Sequence, residues 1–203
     1  MIQYCHIRVK APEIFKEGIM NKKMAVFLAE GFEEGEAIVP IDIARRGGVE
    51  VTTVSIGDDI HVTGSHGIEV KADAMLSSID PAEYDMLMLP GGMPGTANLE
   101  ASEQVKDALL KANEEGRYVA AICAAPRLLG KLGILDGKNA TVYPGNEEHL
   151  KNAKYDSRAK AVTDGNVITA RGMGYALEFG REIVTALVDI SKAKEVLEAV
   201  QSD

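Results

Sequence analysis

Tryptophan is absent from this 203-residue chain, and aromatic residues make up only 5% of it. The interior is left to Val, Ile, Leu, Ala and Met, which suits a sheet covered on both faces. Cysteine is scarce too. Two residues, Cys5 and Cys123, cannot build a disulfide framework, and isolated thiols fit a reducing compartment such as the cytoplasm. Excess positive charge is missing, with 22 Lys and Arg against 31 Asp and Glu and a net charge of −9. With no basic stripe to neutralise phosphates, nucleic acid is not an expected partner. No stretch approaches the roughly 20 apolar residues that span a bilayer. The opening run MIQYCHIRVKAPEIFKEGIMNKKM is broken by charges and a Pro where a signal peptide needs an apolar core. Neither a membrane partner nor a targeting segment is expected.

What is present is an alternation of short apolar runs with amphipathic stretches. Met20-Asn21-Lys22-Lys23 before Met24-Ala-Val-Phe-Leu reads as a natural chain start entering a first strand. Residues 1–19 are therefore expected to be an upstream extension from an early start codon, and 20–203 a single domain. Strands are expected at Met24–Ala29, Val49–Ile56, Met86–Leu89, Tyr118–Ile122 and Ala140–Tyr143. A helix is expected over Glu34–Arg46, with Ala37, Ile38, Ile41 and Ala44 on its apolar side, acids in its first turn and Gly47-Gly48 after its end. Further helices are expected at Ser102–Glu115, Pro126–Leu132, Tyr175–Ile190 and Lys192–Val200. Gly64–Gly67 reads as a hairpin turn at an antiparallel edge, and Asp164-Gly165 as a second hairpin turn. This is the βαβ pattern of an α/β fold with one mostly parallel sheet and helices on both faces.

Ligands of open α/β sheets collect outside the carboxyl ends of the strands. Three features fall there: Glu30–Glu36, Pro90-Gly91-Gly92 and Cys123-Ala-Ala-Pro126. The last places a thiol at a strand-to-helix corner between small residues, a nucleophile elbow with Cys in place of Ser. Pro126 suits a first helical turn, and a helix N-terminus with nearby N–H groups lowers a thiol pKa. A cysteine at a strand end is often only a small buried hydrophobe; the corner context favours the reactive reading. Gly91-Gly92 can point bare N–H groups at an oxyanion, or can simply make a tight turn. Of Glu33, Glu34 and Glu36, a carboxyl buried beside the sulfur would be pushed towards its neutral form and could shuttle a proton. The residues alone do not choose among the three.

Together Glu33-Glu-Gly-Glu36, Val39-Pro-Ile-Asp-Ile-Ala-Arg-Arg-Gly, Leu89-Pro-Gly-Gly, Ala120-Ala-Ile-Cys-Ala-Ala-Pro and Arg171-Gly-Met-Gly with Glu178-Phe resemble the ThiJ/PfpI superfamily, in its DJ-one branch, over nearly all of residues 24–190. The resemblance implies a flavodoxin-like fold, usually a homodimer. It implies Cys123 as reactive thiol, Glu36 as a protonated acid touching its sulfur, and the N–H groups of Gly92 and Ala124 as an anion hole, with Gly91 shaping the turn. No cofactor or metal is implied. The activities it implies are glyoxalase or deglycase chemistry on small dicarbonyls such as methylglyoxal, oxidation sensing through a Cys sulfinate, and chaperone holding. Older descriptions of the family mention thiazole biosynthesis.

This sequence departs from its relatives at two positions. Ala124 stands where the peptidase-like branch carries a His after the nucleophile, which disfavours proteolysis. Tyr143, in Thr141-Val-Tyr-Pro, stands where the DJ-one branch carries a pocket His, and a phenol is a poor base near neutrality. His149, six residues on, reads as an exposed helical residue. The His-x-Glu of class I glutaminases does not occur. The expected function is a cysteine-dependent enzyme taking a small carbonyl substrate. The alternatives are a redox sensor taking an oxidant through Cys123, or a holdase.

Overall fold

The computed structural model describes residues 22–202. The expected extension at residues 1–19, with Cys5, lies outside them. Strand β1 (Lys23–Leu28) leads into helix α1 (Glu34–Arg46), then β2 (Glu50–Ser55), a hairpin of β3 (His61–Thr63) and β4 (Glu69–Lys71), and the short β5 (Ala74–Met75). Strand β6 (Met86–Leu89), helices α2 (Gly95–Ala101) and α3 (Glu103–Glu114), strand β7 (Tyr118–Ile122) and helix α4 (Pro126–Lys131) follow. Strands β8 (Asn139–Ala140), β9 (Lys154–Tyr155), β10 (Ala161–Asp164) and β11 (Val167–Ala170) precede helices α5 (Ala176–Leu187) and α6 (Ile190–Ala199).

Seven strands form the main sheet in the order β10-β11-β7-β6-β1-β2-β5, parallel throughout except where β10 meets β11. The apolar runs are unbroken because both faces are covered. Side chains alternate across the sheet. Ala25, Phe27, Leu87, Leu89, Val119 and Ala121 pack with Leu109 of α3 and Leu128 and Leu129 of α4. Met24, Val26, Leu28, Met86, Met88, Ala120 and Ile122 pack with Ile41 of α1 and Phe179 and Ile183 of α5. Each large apolar side chain so buried contributes about 1.5–3 kcal/mol, so the sheet sits between two cores. Helices α1 and α5 approach closely because Gly180 leaves room for Ile43, whose Cβ would lie 2.9 Å from any β-carbon placed there.

Local signals fix the helix ends. The Glu33 carboxylate accepts the Glu36 N–H at 2.6 Å as the N-cap of α1, and Ser102 Oγ accepts the Val105 N–H at 3.3 Å at the start of α3. Chain order and sheet order together place the site. From β1 the chain moves outward to β2 and β5, then recrosses to β6 on the other side of β1. The β1/β6 boundary is a topological switch point, and the loops leaving β1, β6 and β7 crowd above it.

The flavodoxin-like α/β expectation holds, with local corrections. The Gly64–Gly67 hairpin makes a separate two-stranded sheet of β3 and β4, not an edge of the main sheet; the antiparallel edge is β10. Of the expected strand at Ala140–Tyr143 only Ala140 is in a strand, the two-residue β8, which pairs with β9 in another small sheet. Helix α2 precedes the helix expected from Ser102, over a stretch given no helix in the sequence reading, since Gly95-Thr-Ala-Asn carries weak helix signals and tertiary packing of Thr96 and Leu99 decides. Ile38, expected on the buried side of α1, is 43% exposed.

Candidate active site

Strand β7 ends at Ile122, and the chain turns so sharply that Cys123 has φ 65, the left-handed region. For a residue with a side chain this costs about 1–3 kcal/mol and persists only when the surroundings over-determine it. They do so here. The Cys123 N–H is held by the Ala170 carbonyl of β11 at 2.9 Å, its carbonyl by the Tyr143 N–H at 2.8 Å, and the Ala125 N–H returns to the Ile122 carbonyl at 3.1 Å. Pro126 then opens α4. The corner leaves the thiol half-buried, with the backbone N–H groups of Ala124 and Gly92 directed at its sulfur.

The loop after β6 supplies the facing wall. Gly91 donates its N–H to Oε2 of Glu36 at 3.0 Å. A β-carbon on Gly91 would stand 2.5 Å from that oxygen and 2.7 Å from Cβ of Cys123, so this position has no room for a side chain. Gly92, at φ 91, lies against the backbone of Phe32 and Glu33, where only glycine combines that conformation with so close an approach.

The three acids of the first loop part company. Glu33 caps α1, Glu34 turns to the hairpin, and Glu36 reaches the thiol. Glu36 is 1% exposed. Burial pushes its carboxyl up to about 7; the hydrogen bond with Cys123 and the N–H groups of Gly91 and Met173 pull it back, while the charge of Glu33 adds to the rise. Burial also pushes the Cys123 thiol up, an ionised Glu36 pushes it further, and the N–H groups of Ala124 and Gly92 recover only part. This corrects the expectation of a lowered thiol pKa. Helix α4 has six residues, too few for a strong dipole, and the dominant neighbour is an acid.

Tyr143 lies at the rim, 52% exposed, its ring 3.3 Å from where a β-carbon on Gly172 would be. His149 is not an exposed helical residue. It sits half-buried in a single 3₁₀ turn against α4, and its ring faces Glu148 at 3.6 Å. The N–H of Met173 on Glu36 is a contact that sequence reasoning missed, because a backbone donor leaves no residue-type signal. Glu33, Glu34 and His66 bring ligand-type atoms within 4.8 Å of one another. Their oxygens are already engaged: Glu34 accepts from the His66 and Ile68 N–H groups at 2.8 and 3.2 Å and pairs with the His66 ring at 2.9 Å. This cluster latches the hairpin to α1.

A mostly parallel sheet with a cysteine corner at its switch point, glycine backbone opposite and a buried carboxyl beside the sulfur defines a flavodoxin-like protein with a nucleophile elbow. The chain belongs to the DJ-1/PfpI family, whose model matches residues 22–186. It is 40% identical over 177 residues to protein DJ-1 homolog B of Arabidopsis thaliana, a match covering 87% of this chain and 40% of that one. The chain thus spans well under half the length of that relative. A Pyrococcus abyssi protein named a deglycase is 33% identical over 166 residues, covering 81% of this chain and 99% of its own. The crystal structure of Drosophila melanogaster DJ-1beta superposes with a TM-score of 0.87 at 36% identity, covering 91% of this chain and all of that one. Among the described residues no helix is long and apolar enough to cross a membrane.

Proposed function

We propose that this protein is a cysteine-dependent enzyme acting on small dicarbonyls, or on their adducts with proteins, without glutathione. The observation that carries this reading is the pairing of a sulfur facing two backbone N–H groups with a carboxyl that is 1% exposed and titrates near 7. Membership of the family and the relative named a deglycase support it. When Glu36 holds its proton, its repulsion of the sulfur vanishes and its O–H donates to the thiolate, so one negative charge is shared between them.

With methylglyoxal, the thiolate adds to the aldehyde carbon to form a hemithioacetal. Its oxyanion faces the Gly92 and Ala124 N–H groups. Glu36 gives its proton to that oxygen and, now ionised, takes the proton from the carbon and returns it to the neighbouring carbon, giving a lactoyl thioester. Water hydrolyses the thioester, releasing lactate and the thiol, so the balance is methylglyoxal plus water to lactic acid. The test is lactate formation from methylglyoxal without added thiol. Wild type should turn over and Cys123→Ser should not; equal rates would sink the reading.

The same hydrogen bonds favour a second reading, in which Cys123 consumes two peroxides to become a sulfinate with release of two waters, the anion held by Glu36 and the two N–H groups. Intact-mass measurement after mild peroxide should then find two added oxygens on Cys123; oxidation at Cys5 instead would count against it. A homodimer is part of the proposal. Ile38 and Ile68, 43% and 58% exposed, supply apolar surface near the site loops, and sedimentation should give twice the chain mass of 21.7 kDa.

A further inference from the structure

The two N–H groups facing the Cys123 sulfur come from different stretches of chain. Gly92 belongs to the turn between β6 and α2, Ala124 to the corner between β7 and α4. The ladder joining β6 to β7 ends at Leu89 and Ala121, short of both donors. Beyond it the backbones bond elsewhere: the Gly91 carbonyl to the Glu33 N–H, the Cys123 N–H to the Ala170 carbonyl. Contact between Gly91 and Cys123 limits how near the two loops come, but contact alone does not set their relative tilt.

Glu36 meets both loops at the site itself; further out, a charged side-chain pair joins them directly. Arg127, in the first turn of α4, places Nε and Nη2 on the two carboxylate oxygens of Glu100, in the last turn of α2, at 2.8 and 3.0 Å. The two side chains are 15% and 16% exposed. Lys131, one turn further along α4, adds its ammonium to the same carboxylate at 3.0 Å. Burial pushes Glu100 up, but Arg127 and Lys131 hold it below the usual carboxylate range, so it is ionised at neutral pH. A two-pronged guanidinium–carboxylate pair fixes orientation as well as distance, which a single ammonium contact does not.

We propose that Glu100 and Arg127 form a positioning pair for the thiol site, locking the β6–α2 turn to the β7–α4 corner so that the Gly92 and Ala124 N–H groups converge on one sulfur. Neither residue touches the substrate. The assignment rests on Cys123 being the reactive group of the proposed function, and it concerns the acidity of the thiol, not turnover. Loosening the pair lets one donor drift, and the thiolate loses part of its stabilisation.

The test is the pH profile of Cys123 alkylation by iodoacetamide in the full chain, followed by peptide mass over roughly pH 5–10. Arg127→Met and Arg127→Lys should each displace the rising profile upward in pH by about one unit, making alkylation near neutrality about tenfold slower. Glu100→Gln should move it in the same direction. The charge-exchanged variant, Glu100→Arg with Arg127→Glu, made together with Lys131→Met so that no like charge faces position 100, should recover at least half of the loss. A wild-type profile in folded Arg127→Met, even with a lower urea midpoint, would make the pair a mere staple and overturn the proposal. Full rescue by Arg127→Lys would also overturn it, since charge and not the fork would then suffice. Should Arg127→Met fail to fold, Arg127→Lys and Glu100→Gln decide. Alkylation needs no turnover, so an absence of lactate formation in wild type would remove the enzymatic reading and leave this result standing.

Discussion

Gly91 donates its backbone N–H to Oε2 of Glu36 at 3.0 Å, and the same glycine lies against Cβ of Cys123. The acid and the thiol therefore meet across a residue with no side chain. Gly91→Ala puts a methyl group 2.5 Å from the Glu36 oxygen and 2.7 Å from Cys123 Cβ, so one of them must shift. Overpacking of this kind costs about 1–3 kcal/mol, which urea denaturation should register. Alkylation of Cys123 should change with it, because the shift separates the carboxyl from the sulfur.

Glu36 predicts a pH dependence opposite to that of most carboxylates. Below its ordinary value of 4.5 both folded and unfolded chains hold the proton; between 4.5 and about 7 the unfolded chain releases it while the folded one keeps it. The unfolded state binds fewer protons there, so stability falls as pH rises through that window and levels off above it. The loss is on the order of 3 kcal/mol. Wild type and Glu36→Gln should diverge in urea midpoint across this window, with the fall absent from the variant. Parallel curves would mean that Glu36 titrates normally.

The fold was legible because its signals are local and redundant. The continuous apolar runs of β1, β6 and β7 declare strands buried on both faces, and α1 carries its acids, bases and glycines at the expected ends. The hairpin was legible as a hairpin but not as a separate sheet, since pairing partners distant in sequence leave no periodicity. The candidate site was legible at Cys123 and its glycines, where backbone geometry demands small residues. Glu36 was singled out from Glu33 and Glu34 by resemblance alone; only tertiary structure sends the three neighbours to a helix cap, a hairpin and a sulfur. The raised thiol pKa was illegible for the same reason, because burial and a neighbouring acid overrule a helix terminus that is plain in sequence.

Glu34 acts in the opposite sense to Glu36. Burial pushes its carboxyl up, but the bonds from His66 and Ile68 outweigh burial and bring it down to about 2. Its contribution is present above the unfolded value of 4.5 and is lost as pH falls towards 2. Glu34→Ala leaves the His66 and Ile68 N–H groups without their acceptor, a loss of about 1–3 kcal/mol. Amide exchange at Ile68 should accelerate while core amides of β7 change less. If Ile68 exchanges as in wild type, the carboxylate does not latch the hairpin.

Tyr143 offers the sharpest test of how protons move in the proposed reaction. Its N–H holds the Cys123 carbonyl at 2.8 Å and its half-exposed ring covers Gly172, so a substitution changes the rim without removing the backbone bond that holds the corner. With a phenol at this position, Glu36 is the base beside the sulfur, and it must be ionised to abstract a proton and protonated to relieve the thiolate. One group cannot be both at once, which sets a low rate. Tyr143→His places at the rim an imidazole that titrates near pH 6.5, letting Glu36 keep its proton while a second base works. A positioned general base contributes about 10²–10⁴-fold, and a rim residue on a short loop should deliver the lower end of that range. Lactate formation by Tyr143→His should rise by at least about tenfold at neutral pH and gain an ascending limb near pH 6.5, while Tyr143→Phe stays at the wild-type rate. A fall in Tyr143→Phe would instead make the phenol a proton donor in the reaction, and an unchanged Tyr143→His would leave Glu36 as the sole carrier.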